Sequence, residues 1–165
     1  MTDSLVAEKP LSLVTGEIKR PKTVCFVCTG NTCRSPMAEA MLNHLAAKKN
    51  VPIRAFSAGI SAVNGDPISG GAVRALKKAG VPNTPENDYE SHTAKMISED
   101  ALKAADEVVA ISESHMMALI YTYPQYADKI TVMPVNIPDP FMYGDAVYEK
   151  CLATITDCIE RMYLL

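Results

Sequence analysis

The feature that most limits the fold is an apolar, β-rich run from Thr23 to Thr29 that stops at Gly30 and Asn31 and gives way to a helical pattern. Met37, Ala38, Met41, Leu42, Leu45 and Ala46 recur at helical spacing up to about Lys49, and Ile53 to Ser57 then reads as a second strand. A strand, a helix and a strand in so short a span imply a right-handed crossover between parallel strands. The alternation continues. Gly59 to Pro67 is a turn-rich loop, and Ser69 to Ala79 is helical, with Ala72, Ala75, Leu76 and Ala79 on one face before Gly80 ends it. A loop rich in Pro, Asn and Asp follows. Ser98 to Ala105 reads as a short helix, Glu107 to Ile111 as a buried strand, Glu113 to Tyr121 as a helix and Ile130 to Val135 as a fourth strand. Ala146 to Leu165 closes the chain as a long helix with Val147, Cys151, Ile155, Cys158 and Met162 along an apolar stripe. The expected fold is α/β: three layers, with a four-stranded parallel sheet covered by helices on both faces.

A chain of 165 residues, 48% hydrophobic and 21% charged, suits one domain with a full core, expected over residues 21–165. Residues 1–20 mix charges, Pro10 and Gly16 among short apolar pieces and read as a poorly ordered extension rather than a secretory signal. The net charge of −3 and the scattered Lys and Arg provide no field for polyanions, so nucleic acid is not an expected partner. No apolar run approaches the ~20 residues needed to span a bilayer, so no membrane association is expected either. An odd five cysteines fit a reducing compartment better than a disulfide framework, which makes the cytoplasm the expected location. A monomer is the expected state.

Chemistry concentrates in Cys28-Thr29-Gly30-Asn31-Thr32-Cys33-Arg34-Ser35, between a strand end and a helix start at the carboxyl edge of the expected sheet, where such folds bind ligands. Gly30 and Asn31 tolerate left-handed backbone angles, so successive N–H groups can turn inward beside the positive end of a helix and hold an anion. Ser35 is the expected N-cap and Pro36 suits the first helical position. The loop lacks the Gly-Lys-Ser/Thr ending of a nucleotide site. It offers instead a cysteine at its start and an arginine six positions later. Inward amides, the helix terminus and a guanidinium all stabilise negative charge on the Cys28 sulfur, and Arg34 can grip two phosphate oxygens in a planar fork that Lys cannot reproduce. Taken alone, Cys-x5-Arg is a weak pattern, and a cysteine ending a buried strand is more often a small core residue; the loop formers, Ser35, Pro36 and the strand-loop-helix setting reverse that balance and point to chemistry. Cys25, Cys28 and Cys33 lack a clear fourth ligand, which argues against a zinc site. Cys25, Cys151 and Cys158 read as core residues.

The stretch Val27-Cys-Thr-Gly-Asn-Thr-Cys-Arg-Ser-Pro-Met-Ala-Glu-Ala40 resembles the signature of the low molecular weight protein tyrosine phosphatases, and the resemblance runs from about Lys22 to Leu165. Ser57-Ala-Gly, Asn64-Gly-Asp-Pro67, Ser91-His-Thr-Ala-Lys95 and Asp139-Pro140-Phe141 follow in the family's order. The resemblance implies phosphorylated protein substrates and neither a metal nor another cofactor. By position it makes Cys28 the nucleophile, Arg34 the phosphate clamp and Asp139 the general acid. Thr29, Gly30, Asn31, Thr32, Cys33 and Ser35 become the phosphate-binding loop, and Ser57 and His92 its supports. The chemistry independently needs a carboxyl such as Asp139 to protonate the leaving group and then take a proton from water. Pro140 stiffens its loop and Phe141 offers an apolar wall to the cleft. On residue type alone, Asp139 is also an ordinary turn Asp before Pro, and His92 an ordinary structural histidine; His44 and His115 receive only the ordinary reading.

Thr32 bears on the substrate. Many tyrosine-directed members carry Ile or Leu there, whereas Thr within Cys-Thr-Gly-Asn-Thr-Cys-Arg-Ser resembles the bacterial protein arginine phosphatases. A branched aliphatic side chain packs on a phenol ring, while a hydroxyl can accept a hydrogen bond from a guanidinium. The loop after Gly59 also lacks an aromatic before Asn64. Phosphoarginine is therefore expected ahead of phosphotyrosine. A reversible Cys28–Cys33 disulfide is a further possibility. Thiol-linked arsenate reductases share this fold and loop but relay oxidation to cysteines after the second helix, and Val81 to Lys95 has none. A catalytically silent phosphoprotein-binding module is the third reading.

Overall fold

Along β1 (Lys22–Cys28), Val24, Phe26 and Cys28 face one side of the sheet and Cys25 and Val27 the other, and all are buried. A strand buried on both faces needs a layer on each side. The computed structural model describes residues 20–165 and supplies both layers. The chain continues through α1 (Arg34–Lys49), β2 (Ile53–Gly59), α2 (Gly70–Lys78), α3 (Glu99–Ala104), β3 (Glu107–Ala110), α4 (Glu113–Thr122), β4 (Ile130–Val132) and α5 (Asp145–Tyr163). The four strands lie in the order β2-β1-β3-β4, every neighbouring pair parallel. Met37 and Leu42 of α1, Leu76 of α2 and Ile155 and Ile159 of α5 pack on one face. Leu102 of α3 and Leu119 of α4 pack on the other.

This topology positions the site. The chain leaves β1 for β2 on one side and later returns to β3 on the other, so a crevice opens at the carboxyl end of β1. The register pairs Cys28 with Gly59 and Val27 with Ala110, bringing the ends of β2 and β3 level with the loop after β1. Serines cap the helices that start at or near this edge: Ser69 accepts from the Ala72 amide and Ser112 from the His115 amide.

The structure adjusts several boundaries expected from sequence. β4 ends at Val132 rather than Val135, because Pro134 has no N–H for the ladder. The inward stripe of α5 is Tyr148, Cys151, Leu152, Ile155, Cys158 and Ile159. Val147, expected inside, is 41% exposed. Tyr148 takes the inward place, its ring lying over Gly71, where a Cβ would stand 2.6 Å from ring carbons. Ala79 is exposed as the C-cap of α2. The loop after Gly80 contains a single 3₁₀ turn, Tyr89–Ser91, whose buried Tyr89 donates its hydroxyl to the Val81 carbonyl at 2.6 Å.

The extension expected over residues 1–20 lies outside the described residues except for Arg20, whose guanidinium makes two 2.7 Å bonds to the Asp106 carboxylate. Among the described residues no helix is long and apolar enough to cross a membrane.

Candidate active site

Nine residues line one cleft of about 210 Å³ at the carboxyl end of β1: Cys28 to Arg34 without a gap, with Asp139 and Phe141 opposite. Larger grooves exist, including one of about 510 Å³ between α1, α2 and α5. That groove has neither a cysteine nor an arginine in its lining, whereas the smaller cleft joins a cysteine, an arginine and a carboxylate beside a helix N-terminus.

The loop is shaped by Asn31, which is fully buried with φ +58°. Of the two residues expected to accommodate the left-handed turn, Asn31 alone adopts it; Gly30 does not. Asparagine suits this position because its amide can replace the lost local bonds. Its Nδ2 donates to Ser35 Oγ at 2.8 Å and Ser57 Oγ at 2.9 Å, its Oδ1 accepts from the Lys95 amide at 2.9 Å, and its carbonyl accepts from His92 Nε2 at 2.9 Å. Ser57 in turn donates to Glu39 Oε1 at 2.6 Å, and His92 Nδ1 stands 3.9 Å from the same oxygen. Burial raises the Glu39 carboxyl above its ordinary range, while Ser57, His92 and Lys95 oppose the shift. Behind the loop, Gly59 is required by close approach: a Cβ there would stand 2.4 Å from the Thr29 carbonyl oxygen.

Cys28 is 3% exposed, and its Sγ receives the Asn31 amide at 3.3 Å and lies 2.8 Å from Ser35 Oγ. Ser35 was expected as the N-cap. It is instead the second residue of α1, with Cys33 at the cap and no side-chain cap bond. The reason is competition: the Ser35 hydroxyl is already engaged by Asn31 and the Cys28 sulfur. The first amides of a helix have no intrahelical acceptor, so this helix start beside the cleft complements an anion.

Arg34 opens α1 and is 8% exposed. Its Nη1 donates to the Ile137 carbonyl at 3.0 Å, and its Nη2 lies 3.8 Å from Asp139 Oδ2. One edge of the guanidinium is thus anchored while the other faces the cleft. Asp139 is half exposed and accepts from the Phe141 amide at 3.1 Å. The following turn closes through the Tyr143 amide to the Pro140 carbonyl at 3.0 Å, with Met142 at φ +74°.

All site residues expected from the sequence come together here: nine line the cleft, while Ser35, Ser57 and His92 stand behind it. The Cys33 sulfur bonds Ser69 Oγ at 3.4 Å and lies 3.3 Å from Tyr148 Oη, and all five cysteines are free. Burial pushes the Tyr148 phenol up to about 12, the Cys33 bond adding to the shift. Burial also raises the Cys25 and Cys151 thiols, as suits core residues. Sequence reasoning missed Glu39, Tyr148 and His115. His115 is 3% exposed, with Nε2 2.8 Å from Thr29 Oγ1 and Nδ1 2.7 Å from Ser112 Oγ. Its pKa falls to about 4, chiefly through burial and then through Arg34, with Asp139 opposing. The available signal was Ser112 at a strand end on the same sheet edge, three residues before the histidine.

Residues 23–163 match the family described as low molecular weight phosphotyrosine protein phosphatase. The crystal structure of a low molecular weight protein tyrosine phosphatase from T. tengcongensis superposes with a TM-score of 0.78 at 38% identity, covering 86% of this chain and 97% of that one. A protein-arginine-phosphatase of Bacillus subtilis is 26% identical over 146 residues, 84% of this chain and 93% of its own length. An arsenate reductase of Brevibacillus brevis is 37% identical over 114 residues, 68% of this chain and 75% of its own.

Proposed function

The chain belongs to the low molecular weight phosphotyrosine protein phosphatase family and is a protein phosphatase, and from that premise we propose that it works through Cys28 and a phosphocysteine intermediate, with phosphoarginine ahead of phosphotyrosine as substrate. The observation carrying the mechanism is the sharing of one cleft by Cys28, Arg34 and Asp139. The Cys28 sulfur attacks phosphorus in line with the leaving group. An S–P bond forms as the P–N or P–O bond breaks, and Asp139 delivers a proton to the departing nitrogen or oxygen. Arg34 and the loop amides hold the equatorial oxygens as charge spreads over them. Water then gives a proton to Asp139 and attacks phosphorus, the S–P bond breaks, and phosphate leaves. The Ser35 hydroxyl, 2.8 Å from the sulfur, stabilises the thiolate both as nucleophile and as leaving group. No metal enters these steps. Free cysteines throughout suit the reducing cytoplasm as the place of action.

Thr32 supports the choice of phosphoarginine. It lines the cleft beside the candidate nucleophile, and Phe141 is the sole aromatic among the lining residues. A hydroxyl there accepts a hydrogen bond from a guanidinium, and losing a bond to a charged group costs about 1.5–3 kcal/mol, or roughly ten- to a hundredfold in specificity. Phosphoarginine and phosphotyrosine peptides assayed side by side test this. The wild type is expected to favour phosphoarginine, and Thr32→Ile to lower that activity while phosphotyrosine hydrolysis holds or rises. A ratio unchanged by the substitution, or a wild type that strongly prefers phosphotyrosine, makes this chain tyrosine-directed instead.

The arsenate reductase match favours a second reading. A thiol relay needs further cysteines near the site after α2, and residues 81–95 contain none. Arsenate-dependent consumption of a thiol reductant by the purified protein tests it directly.

A further inference from the structure

Thr29 is the one loop residue whose side chain is tied to the β3 side of the crevice, and the tie is a buried histidine. The chain of bonds is Ser112 Oγ to His115 Nδ1 at 2.7 Å, then His115 Nε2 to Thr29 Oγ1 at 2.8 Å. The ring is 3% exposed, while Thr29 is exposed and lines the cleft. β1 and β3 are hydrogen-bonded neighbours, so their carboxyl-end loops meet directly.

The direction of the bonds follows from the acceptors of Ser112. Its oxygen receives the His115 amide at 3.5 Å and lies 2.9 Å from Ser114 Oγ, a pair in which either hydroxyl can donate; with Ser114 as the donor, the acceptor positions of Ser112 are filled. Its own hydrogen then goes to His115 Nδ1. The remaining ring hydrogen sits on Nε2 and is donated to Thr29 Oγ1. A threonine hydroxyl that accepts in this way still has its own hydrogen to give, and the open side is the cleft. The ring stays neutral because burial and the nearby Arg34 oppose a second proton, more strongly than Asp139 favours it.

We infer that Ser112, His115 and Thr29 form an oriented hydrogen-bond chain that makes the Thr29 hydroxyl an additional donor to the phosphate, with His115 as its positioning residue. The inference rests on the phosphatase reading of the cleft. It assigns Thr29 a contact with the anion and assigns His115 no direct contact. The hydroxyl helps hold the phosphate before and during transfer, so its loss weakens binding more than it slows the chemical step.

The test measures KM and kcat on an aryl phosphate and, separately, binding of inorganic phosphate by calorimetry. Thr29→Val and His115→Ala are each expected to raise KM and the phosphate Kd about tenfold, with kcat changed much less. The double variant is expected to be no worse than Thr29→Val alone, because His115 acts through that hydroxyl. His115→Gln, whose amide Nε2–H reaches toward the same oxygen, is expected to restore most of the binding, and His115→Asn is not. Ser112→Ala, near the surface, gives the same direction of change should a His115 variant fold poorly. Losses that multiply in the double variant, or a Thr29→Val protein that binds phosphate like the wild type, overturn the proposal. A wild type that binds phosphate yet turns over no aryl phosphate instead defeats the phosphatase reading, while the calorimetric comparison still decides the chain.

Discussion

Cys28→Ser is expected to lower turnover of any phosphate ester or phosphoramidate by at least about 10⁴-fold while leaving the fold intact. The sulfur sits in a pocket built for negative charge: it receives the Asn31 amide, lies 2.8 Å from Ser35 Oγ and shares the cleft with Arg34. Sulfur is a strong nucleophile toward phosphorus in such surroundings, and a serine hydroxyl is a weak one. The replacement is close in size, and Ser35 and Asn31 can still bond the new oxygen, so the melting temperature should move by no more than a few degrees. The variant should also retain phosphate binding, since the loop and Arg34 are untouched. Activity within tenfold of the wild type would remove Cys28 from the mechanism.

The next largest effect is expected from Asp139→Asn, and it depends on the substrate. Phosphoarginine and alkyl phosphates release poor leaving groups that need a proton as the bond breaks, so their hydrolysis should fall by about 10²–10⁴-fold. Activated aryl phosphates expel a stable phenolate and should lose less than about tenfold in the first step. The geometry suits the assignment: the carboxylate is half exposed, reaches toward the cleft and is held by the Phe141 amide at 3.1 Å and by Arg34 at 3.8 Å. Rapid-mixing kinetics on the two substrate types separate the steps. Equal losses on both would take the proton-transfer role from Asp139.

The loop after β1 was legible because everything that builds it is local. An apolar β run, two loop formers and Pro36 lie within a short stretch, and Cys28 and Arg34 mark it as reactive. The layers were legible too, since periodicity fixes which residues face inward, as with Met37, Met41 and Leu45 of α1. What escaped was long-range bonding. His115 and Thr29 are 86 residues apart, and only the pairing of β1 with β3 brings them within 2.8 Å. Tyr148 reaches Cys33 across 115 positions. Ser35 had the right residue type for a cap, but Asn31 and Cys28 compete for its hydroxyl, and a cap preference read from sequence does not include that competition. Val147 failed by one position of helical phase, because Gly71 leaves room for the large Tyr148 ring to turn inward.

The central claim is that phosphate passes through the Cys28 sulfur. The most direct test is acid-quenched mass spectrometry of the protein during turnover of an activated aryl phosphate, preferably in the Asp139→Asn background, where loss of the proton acceptor slows release of the intermediate. One phosphoryl group on the peptide carrying Cys28, absent from Cys28→Ser and absent before substrate is added, is the predicted result. Active turnover with no phosphoryl group on that peptide, or with phosphate consistently on another residue, would contradict the account.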